Sequence, residues 1–272
     1  MTRDPQEGAS THRQEPLPAH VDHLPVLPVE YAAALDHGLA VLGLPLAPEI
    51  RAAIDDHVRL LLAWNQAVNL TAIRDPVGVA RGHVLDSLAA LPLVRALGAG
   101  RLLDLGSGGG YPGLPLAVAT PLEALLVDSV GKKARFLHTV TAALGVADRV
   151  RVTSFRAEAL AADPAHRGRW PLVTARAVAG LDELVELAWP LLTAGGHLVA
   201  WKRSPLDDEL VAAGRAITAL EGGLVEAGRV AVHGIPAGIP GLEEHVLVVA
   251  AKLHPTPAGF PRDPAHRKRH PW

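Results

Sequence analysis

The chain of 272 residues has no cysteine and only 4% aromatic residues. The absence of cysteine excludes disulfides, Cys-ligated zinc, iron–sulfur clusters and thiol catalysis. With so few Phe, Tyr and Trp side chains, the core must be built from Leu, Val and Ala. No stretch reaches the ~20 uninterrupted apolar residues of a membrane span, and the N-terminus lacks the apolar segment of a secretory signal. We therefore expect a cytoplasmic protein with no membrane partner.

The chain also lacks an excess of either charge, since 26 Lys and Arg face 28 Asp and Glu for a formal net charge of −2. This balance excludes a protein that coats nucleic acid with its whole surface, and any such contact must use a local basic patch. One basic stretch closes the chain, "GFPRDPAHRKRHPW" at 259–272, with four Arg or Lys against one Asp. By itself it is either a solvated terminus or a segment that binds phosphates.

Composition and periodicity divide the chain into four parts. Residues 1–28 are polar and rich in proline, which predicts a disordered leader. Residues 29–98 are helical in pattern, and Ile50, Ile54 and Val58 begin an apolar stripe at helical spacing. Residues 99–253 form an α/β domain, and residues 254–272 a basic C-terminal tail.

Short apolar strands alternate with helical segments from position 101 onward. "RLLDLG", "EALLVDS", "RVRVTSF", "PLVTARAV" and "GGHLVAWK" are the strands, and this alternation predicts parallel βαβ units. Two further strands follow without an intervening helix. The expected fold is α/β, a mostly parallel seven-stranded sheet with a C-terminal antiparallel hairpin and an N-terminal helical extension.

A glycine-rich loop, "LLDLGSGGGYPGLPLAV" at 102–118, joins the first strand to a helix. The dinucleotide fingerprint GxGxxG, started at Gly106, would need glycine where the chain has Tyr111, and no Lys-Ser/Thr follows as in a P-loop. The loop matches the acid-x-Gly-x-Gly-x-Gly pattern of class I S-adenosylmethionine (SAM) methyltransferases. Its expected cofactor-binding residues are Asp104, Gly106, Ser107, Gly108, Gly110 and Tyr111.

Residues that close the next two strands extend this predicted SAM site. Asp128 can accept hydrogen bonds from ribose hydroxyls, and Ser129 follows it. "RAE" at 156–158 would place Ala157 and Glu158 beside the adenine. Ligands of open α/β sheets bind at the carboxyl ends of the strands, where these segments converge. The alternatives are a helix N-cap for Asp128 and a solvated loop acid for Glu158.

Several separate stretches together resemble one family. "LLLAWNQAVNLTAIRDP", "HVLDSLA", "SVGKKARFL", "RAE", "TARAVAGLDEL" and "GGHLVAWK", with the glycine loop, are similar in order and spacing to the bacterial 16S ribosomal RNA guanine-N7 methyltransferases (RsmG, formerly GidB). The resemblance runs from about Val29 to Leu253. It implies methyl transfer from SAM to N7 of a guanine in the 530 loop of 16S ribosomal RNA. Two positions depart from the family: Gly82 replaces a basic residue, and Arg203 replaces a glycine.

The sequence shows no catalytic nucleophile paired with a general base, and the implied reaction needs none. Guanine N7 carries a lone pair and no proton, so the enzyme need only align the reactants, which can supply ~7–11 kcal/mol. "ARAVAG" stands where amino-group methyltransferases carry the signature Asn/Asp-Pro-Pro-Tyr/Phe, which argues against methylation of an exocyclic amine. We expect Arg176 and Lys202 to be the catalytic residues, with Arg176 orienting the base, binding a phosphate or holding SAM. Its alternative is a salt bridge to an acid such as Glu158.

Basic residues at the ligand side of the sheet and in the tail are expected to contact RNA phosphates. A Lys on a helix is also often merely solvated. His83, Asp86 and Ser87 share one helix face and are expected to brace the N-terminal helices against the SAM domain. The RNA-binding set is Lys132, Arg135, Arg156, Lys202, Arg262, Arg267, Lys268 and Arg269.

The implied partner is 16S ribosomal RNA or the small ribosomal subunit, bound by a monomer without a metal. Three other functions are compatible with parts of the sequence: a SAM methyltransferase for another nucleic acid, a non-catalytic SAM- and RNA-binding module, and an NAD(P)-dependent oxidoreductase. NAD(P) binding would favour the oxidoreductase, and SAM binding without methyl transfer would favour the module.

Overall fold

Seven strands form one sheet in the computed structural model, which describes residues 17–223 and 229–272. The strand order is β3-β2-β1-β4-β5-β7-β6. The first five strands are parallel, and β7 pairs antiparallel with both β5 and β6. The strands are Arg101–Leu105 (β1), Glu123–Val127 (β2), Val150–Thr153 (β3), Trp170–Arg176 (β4), Leu192–Arg203 (β5), Val230–Gly234 (β6) and His245–Ala251 (β7). The predicted mostly parallel sheet with a C-terminal antiparallel hairpin is confirmed.

Helices cover both faces of this sheet. The described helices are Val29–Leu42 (α1), Pro48–Trp64 (α2), Pro76–Val79 (α3), Asp86–Leu88 (α4), Leu91–Ala96 (α5), Gly113–Val118 (α6), Gly131–Ala143 (α7), Ala157–Ala162 (α8), Leu181–Ala188 (α9), Asp207–Leu220 (α10) and Pro264–Arg269 (α11). A π-helical segment, Ala80–Leu85, joins α3 to α4. Helices α1 to α7 thus contribute to one face, and α8 to α10 cover the other.

The core consists of two clusters separated by the sheet. Alternate residues of a strand point to opposite faces, so Leu102 belongs to one cluster and Leu103 to the other. The first cluster also contains the apolar side of α2, as the helical stripe predicts. Aliphatic side chains dominate both clusters, and the few aromatics that join them include the buried Phe136 and Trp189.

One stretch of the described chain, Pro76–Ala96, is long and apolar enough by length and composition to cross a membrane. More than half of its most apolar window is buried inside the protein. Val79, Val84 and Leu88 from this stretch are fully buried in the first core cluster.

The sequence predicts a disordered leader over residues 1–28, but the structure places residues 17–28 against α2. Residues 1–16 lie outside the described residues. The Trp64 indole donates to the carbonyl of Pro18 at 2.8 Å, and the Arg59 guanidinium donates to the carbonyls of Val21 and Leu24. The segment holds too few apolar residues to form its own core, but α2 supplies the buried surface and the donors that order it.

The C-terminal tail folds back onto α9. Glu186, whose side chain is fully buried, accepts hydrogen bonds from the guanidinium and backbone N–H of Arg262 and from the Trp272 indole. The Arg262 guanidinium also lies 4.0 Å from the centre of the Trp272 ring. Phe260 and Trp272 pack against the second core cluster. The tail is therefore an integral part of the fold.

We expect Glu186→Ala to lower the free energy of unfolding by about 3–5 kcal/mol, because it leaves the half-buried Arg262 without its partner. Denaturant unfolding measures this. The matched control is Lys268→Ala in the same tail, whose exposed side chain should change stability by less than about 0.5 kcal/mol. Equal stability of the two variants would contradict a structural role for the tail.

Candidate active site

The glycine loop begins directly after β1, at the point where the strand order reverses between β1 and β4. Such switch points are where open α/β sheets bind ligands. Gly106, Gly108 and Gly110 all have positive φ, at 70°, 55° and 93°. A Cβ on Gly110 would lie 3.0 Å from the His57 ring. A Cβ on Gly108 would have the carbonyl oxygen of Gly106, at 3.8 Å, as its nearest neighbour. The loop is therefore packed against His57 of α2 at Gly110, and it has open space at Gly108.

Asp104 supports the loop from within the protein. Its fully buried carboxylate accepts hydrogen bonds from the Thr174 hydroxyl at 2.7 Å and from the N–H of Gly113 at 3.2 Å. Burial raises the pKa of Asp104 to about 6, against the lowering effect of these donors. Although the pattern predicts a cofactor contact for Asp104, the structure directs this carboxylate at the chain's own backbone. Ser107 also braces the loop, because its Oγ accepts from the N–H of Val127.

Asp128 connects the end of β2 to the glycine loop. One carboxylate oxygen accepts from the N–H of Gly108 at 2.9 Å, and the other accepts from the N–H of Val130. The Lys133 ammonium lies 3.9 Å away. Ser129, the next residue, is exposed. Asp128 thus fixes the spacing of two ligand-side loops, with lone pairs remaining for a ligand.

Glu158 lies in the first turn of α8, beside Ala157, and is held by the tail. The Arg267 guanidinium donates to its carboxylate at 2.5 Å and contacts Glu183 at 3.2 Å. Burial would raise the pKa of Glu158, but the hydrogen bond and charge of Arg267 lower it overall. The predicted adenine-side segment is therefore positioned by a residue from the C-terminal tail.

Arg176, at the end of β4, connects the sheet to the N-terminal helices. Its Nη1 donates to the carbonyl of Gly82 at 2.9 Å and to Asp86 Oδ2 at 2.8 Å, and its Nη2 donates to His83 Nδ1 at 2.9 Å. Its guanidinium carbon lies 5.5 Å from the centre of the Tyr111 ring. The sequence suggests Glu158 as an ion-pair partner for Arg176, but the structure provides Asp86 instead.

The π-helical segment Ala80–Leu85 brings these partners together. π-helical turns are rare and often occur at functional sites. Asp86, which follows the segment, is 1% exposed and also accepts from His245 Nδ1 at 2.8 Å. Its backbone carbonyl accepts from the Trp201 indole at 2.8 Å. The predicted brace between the N-terminal helices and the sheet is thus an ion pair and a set of hydrogen bonds.

Three stacked rings form one wall of the site. The Tyr111 ring lies 4.5 Å from His57 and 4.8 Å from His83, centre to centre. His57 Nε2 donates to the carbonyl of Gly109 at 2.7 Å, and His83 Nε2 donates to the Thr71 hydroxyl at 2.6 Å. Burial lowers the pKa of His57 to about 4, and burial followed by the charge of Arg176 lowers that of His83 to about 3.

His57 does not emerge from motif reasoning. It lies three residues after Ile54 and four before Leu61, so it falls on the apolar side of α2. A histidine within an apolar stripe is the one signal that marks it.

Lys202, at the end of β5, is held close to the site. Its ammonium donates to the carbonyl of Ala179 at 2.9 Å and to the carboxylate of Glu209 at 2.6 Å. Ala177, which directly follows Arg176 in the chain, has a φ of 54°. Such a value is uncommon for a residue with a side chain.

A cavity of about 520 Å³ joins these elements. It is lined by Leu70, Ile73, Gly82, His83, Asp86, Gly106, Ser107, Gly108, Gly109, Tyr111, Lys133, Arg176, Ala177, Trp201, Lys202, Arg203 and His245. The cavity brings together the predicted Gly106, Ser107, Gly108, Tyr111, Arg176 and Lys202. Two residues that line the cavity each carry a buried polar atom, the Tyr111 hydroxyl and His245 Nε2, with no hydrogen-bond partner among the described residues.

The predicted RNA-binding residues divide into two groups. Lys202, Arg262 and Arg267 are paired with carboxylates of the protein, so their positive charge is already compensated. The exposed members are Lys132, Arg135, Arg156, Lys268 and Arg269. Within residues 17–223 and 229–272, no group of three His, Asp or Glu side chains could hold a metal ion.

Comparisons with known proteins agree with this geometry. The chain matches the family described as GidB, rRNA small subunit methyltransferase G, over residues 50–230. It is 46% identical over 207 residues to the ribosomal RNA small subunit methyltransferase G of Roseiflexus castenholzii, covering 74% of this chain and 83% of that protein. It is 44% identical over 221 residues to the protein of the same name from Chloroflexus aggregans, covering 81% and 89%.

Solved structures share the fold at low sequence identity. An O-methyltransferase from Bacillus cereus in complex with SAH superposes with a TM-score of 0.53 at 17% identity, covering 80% of this chain and 97% of that one. A putative O-methyltransferase from Klebsiella pneumoniae gives a TM-score of 0.52 at 18% identity, covering 82% and 98%. The predicted class I, Rossmann-like methyltransferase fold is thereby confirmed.

The buried histidines generate a prediction about stability and pH. The unfolded chain binds a proton at His57 below pH 6.5, whereas the folded chain does so only below about pH 4. The contribution of His57 to stability is therefore present above pH 6.5 and is lost by about 1.4 kcal/mol per pH unit from 6.5 down to about 4.

We expect His57→Phe to reduce the pH slope of stability by this amount and to leave the part due to His83, as measured by denaturant unfolding at several pH values within that window. His20→Ala, at an exposed histidine, should leave the slope unchanged. Parallel pH profiles for the wild type and His57→Phe would show that His57 is not held neutral.

Proposed function

The chain belongs to the family of the rRNA small subunit methyltransferase G (GidB), and from this membership we propose that it transfers a methyl group from SAM to N7 of a guanine in the 530 loop of 16S ribosomal RNA. The observation that carries the proposal is the cavity that joins the glycine loop to Arg176 and the N-terminal helices. It provides a place for a methyl donor at the switch point and a place for a base next to it.

The residues at the switch point fit SAM. Gly108 leaves open space where a side chain would stand, so the backbone can be approached closely. Asp128 would accept from the ribose hydroxyls, with Ser129 beside it, and Ala157 and Glu158 would line the adenine. The unpartnered Tyr111 hydroxyl at the cavity wall can donate to a polar group of the cofactor. When bound, SAM supplies an electrophilic methyl group, whose C–S bonding pair leaves with sulfur as S-adenosylhomocysteine.

Asp104 has an indirect part in this site. Its hydrogen bonds to Thr174 and Gly113 keep the glycine loop and the start of α6 in place. We therefore assign Asp104 to the support of the cofactor loop rather than to contact with the cofactor.

On the acceptor side, Arg176 would orient the guanine. Of the five N–H groups of the guanidinium, three have partners among the described residues, and the other two would serve a base or a phosphate. Asp86, Gly82 and His83 hold the side chain before the substrate arrives, which removes the cost of ordering it during binding. No general base is required, because N7 carries no proton. Lys202, held by Glu209, would add a second positive charge beside Arg176 in the lining of the cavity.

The RNA backbone would contact the exposed members of the predicted RNA-binding set. Lys132, Arg135 and Arg156 follow the ends of β2 and β3, and Lys268 and Arg269 lie on the docked tail. Arg262 and Arg267 would act by holding the tail in place rather than by binding phosphates. We propose that a monomer carries out this reaction in the cytoplasm, on 16S ribosomal RNA or the small ribosomal subunit.

Methyl transfer is tested by incubating the protein with methyl-labelled SAM and either naked 16S ribosomal RNA or small subunits that lack the modification. We expect label at N7 of one guanine in the 530 loop, located by cleavage at 7-methylguanine. A protein that binds SAM by calorimetry but labels neither substrate would be a non-catalytic binding module.

Arg176→Lys keeps the charge but loses the fixed fork of donors that contacts Gly82, His83 and Asp86. We expect the rate of transfer at saturating RNA to fall about 100-fold, because the base is no longer aligned with the methyl group. Single-turnover kinetics measure this, with Arg151→Lys on the edge strand β3 as the matched control. If SAM affinity falls instead while the rate is retained, Arg176 belongs to the cofactor site.

A further inference from the structure

His245 occupies the far wall of the cavity from the glycine loop. It begins β7 and pairs with Arg203 at the end of β5, so it lies at the same edge of the sheet as the ligand-side loops. In the strand order, β4 and β5 separate β1 from β7, which corresponds to three strand spacings or about 14 Å. The cavity extends from the glycine loop after β1 to His245 on β7, so a base that presents N7 to a methyl donor at the glycine loop would direct its opposite edge toward β7.

The tautomer of His245 follows from its contact with Asp86. The carboxylate can only accept, so His245 Nδ1 carries the proton that it donates at 2.8 Å. Asp86 is itself fixed by Arg176, and its side chain is 1% exposed. In the neutral ring, Nε2 is then an acceptor, and its orientation is set by the contact on the other side of the ring.

This acceptor has no partner within residues 17–223 and 229–272. His245 Nε2 is buried, contacts no donor among the described residues, and belongs to a residue that lines the cavity. A buried polar atom without a partner is unfavourable unless a ligand satisfies it. A donor on the substrate would do so.

We propose that His245 is a specificity-determining residue whose Nε2 accepts a hydrogen bond from the 2-amino group of the target guanine. The 2-amino group is the N–H donor of guanine farthest from N7, so it meets the wall that lies farthest from the methyl donor. Adenine has no donor at this position, so it would leave Nε2 buried and unpaired. Asp86 then serves both sides of the site, holding Arg176 with one oxygen and setting the His245 tautomer with the other.

The inference rests on the proposed function and is tested with two changes that each remove one half of the same hydrogen bond. His245→Asn retains an N–H that can donate to Asp86 but has no atom in the place of Nε2. Inosine, placed at the target position of a 16S ribosomal RNA ligated from a synthetic segment, lacks only the 2-amino group. Initial rates with methyl-labelled SAM give kcat and KM for the four combinations of enzyme and RNA.

We expect each single change to lower kcat/KM by about 10–100-fold, and the double change to cost no more than either alone. His233→Asn, at an exposed histidine on the neighbouring β6, should behave as the wild type on both RNAs. SAM affinity and the thermal unfolding midpoint of His245→Asn should match those of the wild type. His245→Ala, which also has no atom in the place of Nε2, serves as a second variant if the asparagine variant does not fold.

A penalty of equal size on guanine and inosine would overturn the proposal and assign His245 to structural support of Asp86. Unchanged transfer by the wild-type enzyme to inosine would overturn it as well. Failure of the wild type to methylate the guanine-containing RNA would instead overturn the proposed function, so the two failures are distinguishable.

Discussion

The ion pair between Asp86 and Arg176 is the contact on which the rest of the site depends. Both side chains are largely removed from water, and a buried pair is favourable only when further hydrogen bonds satisfy it. Here Arg176 also donates to Gly82 and His83, and Asp86 also accepts from His245. Removing either partner would leave a buried charge uncompensated and would separate the N-terminal helices from the sheet.

The carboxylates of this protein serve mainly to hold loops in position. Asp104 fixes the start of α6, Asp128 binds the N–H of Gly108, and Glu158 is bound by Arg267. A glycine-rich loop has high conformational freedom, so its ligand-binding shape must be imposed by such neighbours. His57 adds a fourth constraint, because its ring packs against Gly110 and its Nε2 donates to Gly109. The loop is therefore preorganised, which lowers the entropic cost of binding a ligand.

The near-neutral charge of the chain is compatible with a polyanionic substrate, because some of its cations are paired with carboxylates inside the fold whereas others are exposed. Arg262 and Arg267 neutralise acids on α8 and α9 and attach the tail. The exposed cations near the ends of β2 and β3 remain available to phosphates. Under the proposed function, the local placement of charge, rather than its sum, would determine where RNA binds.

Local patterns in the sequence determined the order of strands and helices, the glycine loop and the family resemblance. These features depend on periodicity and on backbone conformations that only glycine adopts readily, and both can be read over a few residues. Tertiary structure alone decided the partners of the charged groups. Asp86 lies 90 residues from Arg176 and 159 from His245, and nothing local indicates which acid meets which base.

The same reason explains how the two chain ends are placed in the structure. Residues 17–28 and the basic tail have polar, proline-rich compositions typical of disorder, yet both are ordered by surfaces elsewhere in the chain. The composition of a segment indicates how much apolar surface that segment can bury by itself. It does not report the carboxylate of Glu186 or the apolar surface of α2 that the folded chain provides, because those neighbours exist only after the sheet and its helices have assembled.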